Sequence, residues 1–385
     1  MLNKILTEPV FIGIGAAKKL MNYIQNDFSG KKPFVICDVN TEKYANEYFD
    51  EYSKYVYPDR QHATPEAAAL SRSRIEKEKS GVLIACGSGS IHDITRYNAA
   101  ELGLPLISFP TAASVDGFAS SMAAMTINGQ KLTVPAKAPV ALFAEPEVLC
   151  DAPSVLSLSG IGDILGKYVC IFDWKVANLL TGERYDPYIE KMERDAIKGL
   201  IETDYHDKAF VSKLMECLVL SGIAIQQFGN TRPASGAEHH LSHFWEMHCA
   251  NPETDALHGE QVGVSTIILL DLYKSVSDLK LTKKPLTREF LSPVFKALTD
   301  GIIKENIPFI PDTITQEKLN SVWKEIRHLA ETELPDAKFV SEFLASKGGK
   351  TTLSDLGLPS DNSFLAATLR YSPYVRNRLT LLKLL

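Results

Sequence analysis

Short apolar runs alternate with helical patterns along the first 150 residues, and this alternation constrains the fold more than any other feature. The candidate strands are VFIGIG (10–15), PFVICD (33–38), GVLIAC (81–86) and PLISFP (105–110), with candidate helices at 16–28, 42–56 and 91–102. The run at 81–86 is continuously apolar, as expected of a strand buried on both faces. The repeat of strand, helix and strand predicts a parallel sheet with right-handed crossover connections.

The second part of the sequence has a different character. From about residue 153 the apolar residues follow helical periodicity, and β-branched runs are few. The sequence therefore predicts an α/β domain with a parallel sheet over 1–152 and an all-α domain over 153–385. The division falls near Asp151-Ala152-Pro153, where an acid and a proline favour the start of a helix.

Charge and cysteine usage exclude several classes of protein. The net charge is −6 and the pI about 5.9, so no overall basic field favours nucleic acid or an anionic membrane. Neither a signal peptide nor an apolar run of the roughly 20 residues that a membrane helix needs is recognisable, so we expect no membrane insertion. The cysteines, read as buried free thiols of a reducing, cytoplasmic protein, are Cys37, Cys86, Cys150, Cys170, Cys217 and Cys249. A small molecule is the expected partner.

A glycine-rich turn follows the third candidate strand. Residues 87–90 read Gly-Ser-Gly-Ser and open a helix, whose N-terminal N–H groups suit a dinucleotide pyrophosphate. The pattern is not a complete G-x-G-x-x-G, because His92 holds the sixth position; the earlier Gly-Ile-Gly at 13–15 fails as well. An ordinary tight turn is the alternative. Asp38 ends the second strand, where an acid commonly accepts hydrogen bonds from a ribose, or is simply solvated.

The segment FPTAASVDGFASSM (109–122) is crowded with small polar residues directly after a strand. The hydroxyl groups of Thr111, Ser114 and Ser120 are suited to lining a polar ligand. Asp116 is an acid in an otherwise uncharged loop. A loop capped by its own Ser, Thr and Asp side chains is the alternative.

Histidines are concentrated in one short stretch. Those between 239 and 258 are His239, His240, His243, His248 and His258. His239 and His243 are four residues apart, so on a helix both imidazoles lie on one face. His258 follows in LHGEQVG, and Asp163 lies upstream at what reads as a helix start. One Asp and two or three of these histidines form a nitrogen and oxygen donor set suited to Zn²⁺, Fe²⁺ or Ni²⁺. Exposed histidines that merely cover a helix face are the alternative.

Three cations are candidate anchors for a substrate phosphate. Arg232 precedes His239 by seven residues, and its guanidinium suits a bidentate contact with phosphate. Lys137 and Lys167 are weaker candidates. A surface arginine ahead of a proline turn is the alternative for Arg232.

Several segments together resemble one known family. They are GSGSIHDITRY, FPTAASVDGFAS, SGIGDILGKY, RPASGAEHHLSH and LHGEQVG, which occur in that order over about residues 10 to 270. They resemble the NAD(P)-dependent glycerol-1-phosphate dehydrogenases, in particular the bacterial branch, within the superfamily of iron-containing alcohol dehydrogenases and 3-dehydroquinate synthases. The resemblance implies that 1–152 is a Rossmann-like dinucleotide-binding α/β domain and that 153–385 is an α-helical domain that binds metal and substrate. It also implies an active site in the cleft between the two domains, a homodimer or higher homo-oligomer, and phospholipid metabolism.

The resemblance also implies roles for individual residues. The cofactor pyrophosphate would lie against Gly89, Ser90, Ile91, His92 and Asp93, and the remaining contacts with NAD or NADP would come from Thr111, Ser114 and Ser120. The divalent metal ion would be bound by Asp163, His239 and His258. Substrate contacts would come from Asp116, Asp163 and His243, with Asp116 and His243 as the catalytic pair. To these we add Arg232, from the residue pattern alone, as the candidate phosphate anchor. His240 would face solvent, and Ser88 stands where many relatives have a further glycine.

The expected reaction is the reversible reduction of dihydroxyacetone phosphate to sn-glycerol 1-phosphate with NAD(P)H. The metal would polarise the C2 oxygen, and His243 would help to settle the proton on the new alkoxide. Three alternatives stay open: a glycerol or other polyol dehydrogenase, a lyase like dehydroquinate synthase, and a nucleotide-binding protein without turnover. The lyases use Glu as the acidic metal ligand, where this chain has Asp163.

Overall fold

The structure is a computed structural model that describes residues 2–204, 209–247, 254–282 and 284–385. His248 and Cys249, both singled out above, lie outside the described residues.

A six-stranded parallel sheet forms the N-terminal part of the chain, which confirms the predicted sheet. Within the described residues the strands are β1 (Val10–Ile12), β2 (Pro33–Asp38), β3 (Ser53–Tyr57), β4 (Val82–Gly87), β5 (Leu106–Pro110), β6 (Met122–Ile127), β7 (Gln130–Pro135) and β8 (Ala141–Ala144). The sheet order is β1-β8-β5-β4-β2-β3, and each neighbouring pair is parallel. Strands β6 and β7 form a separate pair.

Helices make up most of the remaining chain. The helices before residue 150 and the short one that ends there are α1 (Ala16–Asp27), α2 (Glu42–Phe49), α3 (Pro65–Glu78), α4 (Gly89–Glu101) and α5 (Pro146–Asp151). Those that follow are α6 (Ser154–Leu165), α7 (Lys167–Thr181), α8 (Pro187–Ile201), α9 (Phe210–Phe228), α10 (Ala237–Glu246), α11 (His258–Ser275), α12 (Arg288–Phe295), α13 (Thr299–Glu305), α14 (Gln316–Glu333), α15 (Ala337–Ser346), α16 (Asn362–Tyr371) and α17 (Leu381–Leu384). Short 3₁₀ turns span Asp116–Ala119, Arg232–Ala234, Lys296–Leu298 and Ser372–Tyr374. The part after residue 153 is helical, as predicted.

Apolar side chains cover both faces of the sheet. Helices α1 and α2 bury residues such as Leu20 and Phe49 against one face, and α3 and α4 bury Ile75 and Ile94 against the other. A central strand between two such layers has no solvent face, and every residue of β4 is buried. This arrangement explains the continuous apolar run at 82–86.

One predicted helix was too long. The sequence predicted a helix over 42–56, but α2 ends at Phe49, and residues Ser53–Tyr57 form β3, paired in parallel with β2. The sequence SKYVY contains two tyrosines and a β-branched valine, residue types that favour a strand. The neighbouring Glu and Tyr residues extended the helical pattern and concealed it.

The chain divides into two compact units that interleave along the sequence. The first contains Met1–Ile127, Lys131–Gly160 and Asp195–Thr231, and the second contains Asn128–Gln130, Ile161–Arg194 and Arg232–Leu385. The predicted division into 1–152 and 153–385 assumes that each domain is one continuous stretch of the sequence, and it stays a prediction.

The burial of the cysteines and of one long apolar stretch can be compared with the prediction. Cys150 is exposed, whereas the prediction had it buried; Cys37, Cys86, Cys170 and Cys217 are buried free thiols as predicted. Among the described residues one stretch, Ser154–Thr181, is long and apolar enough to cross a membrane, but 78% of its apolar window is buried inside the protein. Such burial is typical of a core helix in a soluble protein.

Candidate functional site

Glycines bring helix α6 into close contact with helix α11. A Cβ atom at Gly162 would lie 2.0 Å from the carbonyl oxygen of Gly259. The observed spacing of the two helices therefore leaves no room for a side chain at this position. The next residue after Gly162 is Asp163, and the residue before Gly259 is His258. Asp163 lies in the last turn of α6 and not at a helix start as predicted, because the helix already begins at Ser154 after Pro153.

The three residues proposed as metal ligands lie together. One ligand atom each of Asp163, His239 and His258 can be chosen so that all lie within 4.8 Å of one another. The Nε2 atom of His239 is 3.7 Å from Oδ1 of Asp163, and the ring centroids of the two histidines are 5.1 Å apart. The Asp163 and His239 side chains are buried and that of His258 is half-buried, so the cluster has one more accessible side.

A carboxylate contacts the Nδ1 atom of each of the two imidazoles. Oε1 of Glu238 is 2.8 Å from Nδ1 of His239, and Oε1 of Glu246 is 2.5 Å from Nδ1 of His258. Each contact fixes the ring and leaves Nε2 as the nitrogen available to an ion, which is the usual outer arrangement of metal-bound histidines. Burial is the main cause that raises the pKa of Glu238 to about 7. Sequence reasoning missed both carboxylates, although Glu238 and Glu246 belong to the same EHHLSHFWEMH segment.

Lys167 lies at this cluster and not at a phosphate site. Its buried amine donates to Oδ1 of Asp163 at 3.2 Å and to the carbonyl oxygen of Ala234 at 3.0 Å. This contact fixes the orientation of the Asp163 carboxylate.

His243 lies one helical turn from His239, as predicted. Its ring centroid is 5.9 Å from that of His239 and 5.5 Å from that of His258, and His243, Glu246 and His258 form a second, overlapping group of possible ligands. The prediction that His240 faces solvent was wrong, because its side chain is fully buried. Helix α10 is buried all along Ala237–Trp245, so two consecutive histidines on it are both enclosed.

The donor chemistry of the cluster fits a divalent first-row metal ion. One carboxylate oxygen and two imidazole nitrogens converge, and each imidazole has its other nitrogen held by a carboxylate. Such hard and borderline donors suit Zn²⁺, Fe²⁺ and Ni²⁺.

Replacing Glu246 with Gln tests the outer arrangement. Glu246→Gln removes the charged acceptor behind His258, and we expect the affinity for Zn²⁺ to fall by about 10–100-fold. Competition with a chromophoric chelator measures this affinity directly. Glu325→Gln, an exposed change on α14, is the matched control and should leave the affinity unaltered. Equal affinities in both variants would show that Glu246 does not support a metal ligand.

The glycine-rich turn at 87–90 is built by close packing. A Cβ atom at Gly87 would lie 2.7 Å from Cβ of Ile91, and one at Gly89 would lie 3.1 Å from Cγ2 of Val115. The turn is held by the Ser88 and Ser114 hydroxyls, 2.8 Å apart, and by the N–H of Thr111, which donates to the Gly87 carbonyl. Helix α4 therefore begins at the carboxyl end of a central strand, with no side chain capping its N-terminus.

The glycine pair at positions 13 and 15 lies beside an internal carboxylate. The N–H groups of Gly15 and Ala17, at the start of α1, donate to the two carboxylate oxygens of Glu145 at 3.0 and 3.2 Å. An internal carboxylate thus already satisfies this helix N-terminus, whereas no side chain of the described residues caps α4. The contrast favours the turn at 87–90 as the anion site.

His92 and Arg96 are buried parts of the α4 framework. The His92 ring contacts the Ser88 carbonyl at 3.0 Å and the Ser108 hydroxyl at 2.8 Å, and burial lowers its pKa to about 3, so it is uncharged. Arg96, which sequence reasoning missed, donates to the carbonyls of Ser120 and Met122 at 2.7 and 3.0 Å. The contacts of the His92 ring favour a structural role for this side chain, and Arg96 fixes the loop 116–122.

The remaining predicted cofactor residues differ in their surroundings. Thr111, Ser114 and Ile91 are buried, Asp93 is half-buried beside Arg96, and Ser90 is exposed. The Ser120 hydroxyl accepts from the N–H of Met122 at 2.9 Å. Oδ1 of Asp38 accepts from the N–H groups of Asn40 and Thr41, so it stabilises the turn before α2. Asp38 is nevertheless the last residue of β2. Because β2 pairs in parallel with β4, both strands end on the same side of the sheet.

Asp116 and Arg232 have firm partners. Oδ2 of Asp116 accepts from the Ser221 hydroxyl at 3.0 Å, and α9 packs closely here because a Cβ at Gly222 would lie 2.7 Å from the Asp116 carbonyl oxygen. Nε of Arg232 donates to Glu183 at 2.5 Å, and its Nη2 donates to two backbone carbonyls. These contacts favour a structural role for Arg232. Lys137 donates to the Gly103 carbonyl.

Comparison with known proteins gives consistent matches. Residues 11–153 match the model of the iron-containing alcohol dehydrogenases. The chain is 34% identical to a glycerol-1-phosphate dehydrogenase [NAD(P)+] of Bacillus velezensis, over 98% of this chain and 90% of that protein. Its fold is similar to that of a probable glycerol dehydrogenase from Sinorhizobium meliloti, with a TM-score of 0.67, 17% identity, and coverage of 100% and 98%. It is also similar to a sulfoacetaldehyde reductase from Bifidobacterium kashiwanohense in complex with NAD⁺, with a TM-score of 0.63, 15% identity, and coverage of 97% and 92%.

Proposed function

The chain belongs to the NAD(P)-dependent glycerol-1-phosphate dehydrogenases, within the iron-containing alcohol dehydrogenase superfamily, and we propose that it reversibly reduces dihydroxyacetone phosphate to sn-glycerol 1-phosphate. The observation that carries the proposal is the cluster of Asp163, His239 and His258, with a carboxylate behind each imidazole. A nucleotide site alone would serve many reactions, but this cluster suits an oxidoreductase that acts on a hydroxyl or carbonyl group.

The reaction needs two groups that the protein would hold. When bound, a divalent ion such as Zn²⁺, Ni²⁺ or Fe²⁺ supplies Lewis acidity toward a carbonyl oxygen, and NAD(P)H supplies the hydride. Asp163, His239 and His258 would hold the ion, and Glu238 and Glu246 would keep Nε2 of each imidazole turned towards it. Lys167 donates to the Asp163 carboxylate and would hold it in place.

His243 is the residue suited to proton exchange. It lies beside His239 and His258 on a buried helix face, with a ring that can carry a proton to or from a substrate oxygen. Asp116, held by Ser221, is the further acid that we propose for substrate contact.

The cofactor would lie at the glycine-rich turn. The uncapped first turn of α4 offers N–H donors to a pyrophosphate, and the hydroxyl groups of Thr111, Ser114 and Ser120 follow the neighbouring strand β5. Asp38 at the end of β2 would favour NAD over NADP, because its charge repels a 2′-phosphate.

A glycerol dehydrogenase is the second candidate function. Arg232, the predicted phosphate anchor, is already paired with Glu183 and two backbone carbonyls, and this pairing favours a substrate without phosphate. The choice between the two functions therefore depends on the substrate preference.

Chelation and substrate comparison test the proposal together. We expect NADH oxidation with dihydroxyacetone phosphate to disappear after chelation and dialysis, and to return on addition of Zn²⁺, Ni²⁺ or Fe²⁺, as followed by absorbance at 340 nm. The same assay with dihydroxyacetone, and the reverse assay with glycerol, should give much lower kcat/KM values. A preference for the unphosphorylated substrates would favour the glycerol dehydrogenase. NAD binding without turnover of any of them would contradict both functions.

A further inference from the structure

The helical part of the chain contains a cavity that the proposed reaction does not use. Its volume is about 500 Å³, and none of its lining residues belongs to the metal cluster or the glycine-rich turn. Helices α11, α12 and α16 and the C-terminal segment contribute to its walls. The volume lies within the range of about 300–1,000 Å³ that is usual for small-molecule sites.

The polar lining of this cavity is cationic. Lys284, Arg370 and Lys383 line it, while no Asp or Glu side chain of the described residues does. Within the same described part of the chain no carboxylate forms an ion pair with Lys284 or Arg370. Burial of Lys284 and its proximity to Arg370 lower the pKa of the Lys284 amine. Like charges that share a cavity favour the binding of an anion.

Lys383 is the most deeply placed of the three cations. Its side chain is buried, and its amine donates to Oδ1 of Asn306 at 2.9 Å and to the carbonyl oxygen of Arg376 at 3.2 Å. These acceptors use two of the three N–H donors of an ammonium group. The nitrogen also lies 4.3 Å from the centroid of the Phe309 ring.

The remaining walls are aromatic and aliphatic. Phe309 stacks on Tyr374 with centroids 4.2 Å apart, and Phe290 lies 5.9 Å from Tyr374. The Arg370 guanidinium lies 4.8 Å from the Phe290 centroid. Flat rings beside cations suit a ligand that has a planar apolar body and a negative group.

We propose that this cavity binds a small aromatic organic anion, with its negative group beside Lys284 and Arg370 and its ring system among Phe290, Phe309 and Tyr374. The site is separate from the proposed catalytic residues, so its occupation does not require the metal or the nucleotide.

A fluorescence titration tests the site with a probe of the same chemistry. Anilinonaphthalene sulfonate carries an aromatic body and one negative charge, and we expect it to bind the whole protein at one site per chain. Arg370→Gln and, separately, Lys284→Gln should each weaken binding by about tenfold or more, because each removes a charged partner of the sulfonate. Both side chains lie at least partly in solvent, so neither change should alter the thermal unfolding midpoint.

Two controls separate binding in this cavity from non-specific binding elsewhere on the protein. Arg288→Gln changes an exposed arginine of α12 that pairs with Asp300 and does not line the cavity, and it should leave probe binding unchanged. Neutral N-phenylnaphthylamine should bind at least tenfold more weakly than the sulfonate. Equal binding of the two probes, equal binding by wild type and both cavity variants, or displacement of the probe by NAD⁺ would each overturn the proposal. The titration requires neither metal nor turnover, so this proposal and the proposed dehydrogenase function fail independently.

Discussion

His258→Ala should abolish the dehydrogenase activity and the tight binding of a divalent ion, while the protein stays folded. The substitution removes one of three converging ligands, and the loss should exceed the 10–100-fold that is typical when only an outer partner of a ligand is removed. The half-buried position of His258 at the start of α11 means that little core packing is lost. Atomic emission measurement of bound metal, together with NADH oxidation, reports both effects.

His328→Ala is the matched control for this experiment. His328 is an exposed histidine on α14, so its removal should change neither metal content nor rate. Circular dichroism of both variants establishes that the fold is kept. Substantial activity in a metal-free His258→Ala protein would show that the cluster is not the reaction centre.

The parallel sheet was predictable because its strands are enclosed. Strand β4 is buried at every position, and such a strand reads as an uninterrupted apolar run. Strand β3 lies at the sheet edge, where Tyr57 is the only fully buried residue of the strand. Its mostly half-buried side chains give neither a continuous apolar run nor an alternating pattern, so the strand was not distinguished from the end of the preceding amphipathic helix.

The site was predictable only in part. The spacing of His239 and His243 placed both on one helix face. Asp163 and His258 were candidates from the residue pattern, and the resemblance assigned them to the metal together with His239. Local spacing cannot show which carboxylate lies behind an imidazole, because the contact between Glu246 and His258 joins α10 to the start of α11. In the same way, nothing local distinguished the buried His240 from an exposed histidine, since its burial depends on elements that are distant in sequence.

The roles of glycines were the least visible feature of the sequence. Gly162 occurs in SGIGDILGK, where it reads as one of several small residues of a helix. Glycine is needed here because of the tertiary structure: the α11 backbone occupies the space where a side chain would be. The Gly259 carbonyl carbon would lie 2.9 Å and the Gly263 nitrogen 3.3 Å from an added Cβ. All three close atoms belong to backbone, which cannot move aside as a side-chain end does.

Gly162→Ala should therefore destabilise the protein and reduce its activity, although the residue binds nothing itself. Its Cβ, 2.0 Å from the Gly259 carbonyl oxygen, forces α6 and α11 apart and displaces Asp163 from His258. We expect the free energy of unfolding to fall by about 1–3 kcal/mol and kcat/KM to fall by about 100-fold, because small displacements of ligands are costly. Gly301→Ala is the control: it also lies within a helix, but its Cβ would lie 3.4 Å from the flexible end of Gln130, so alanine should be neutral or stabilising by up to about 1 kcal/mol. Urea unfolding and NADH oxidation measure both quantities, and equal behaviour of the two variants would contradict the role of the α6–α11 contact in positioning the metal ligands.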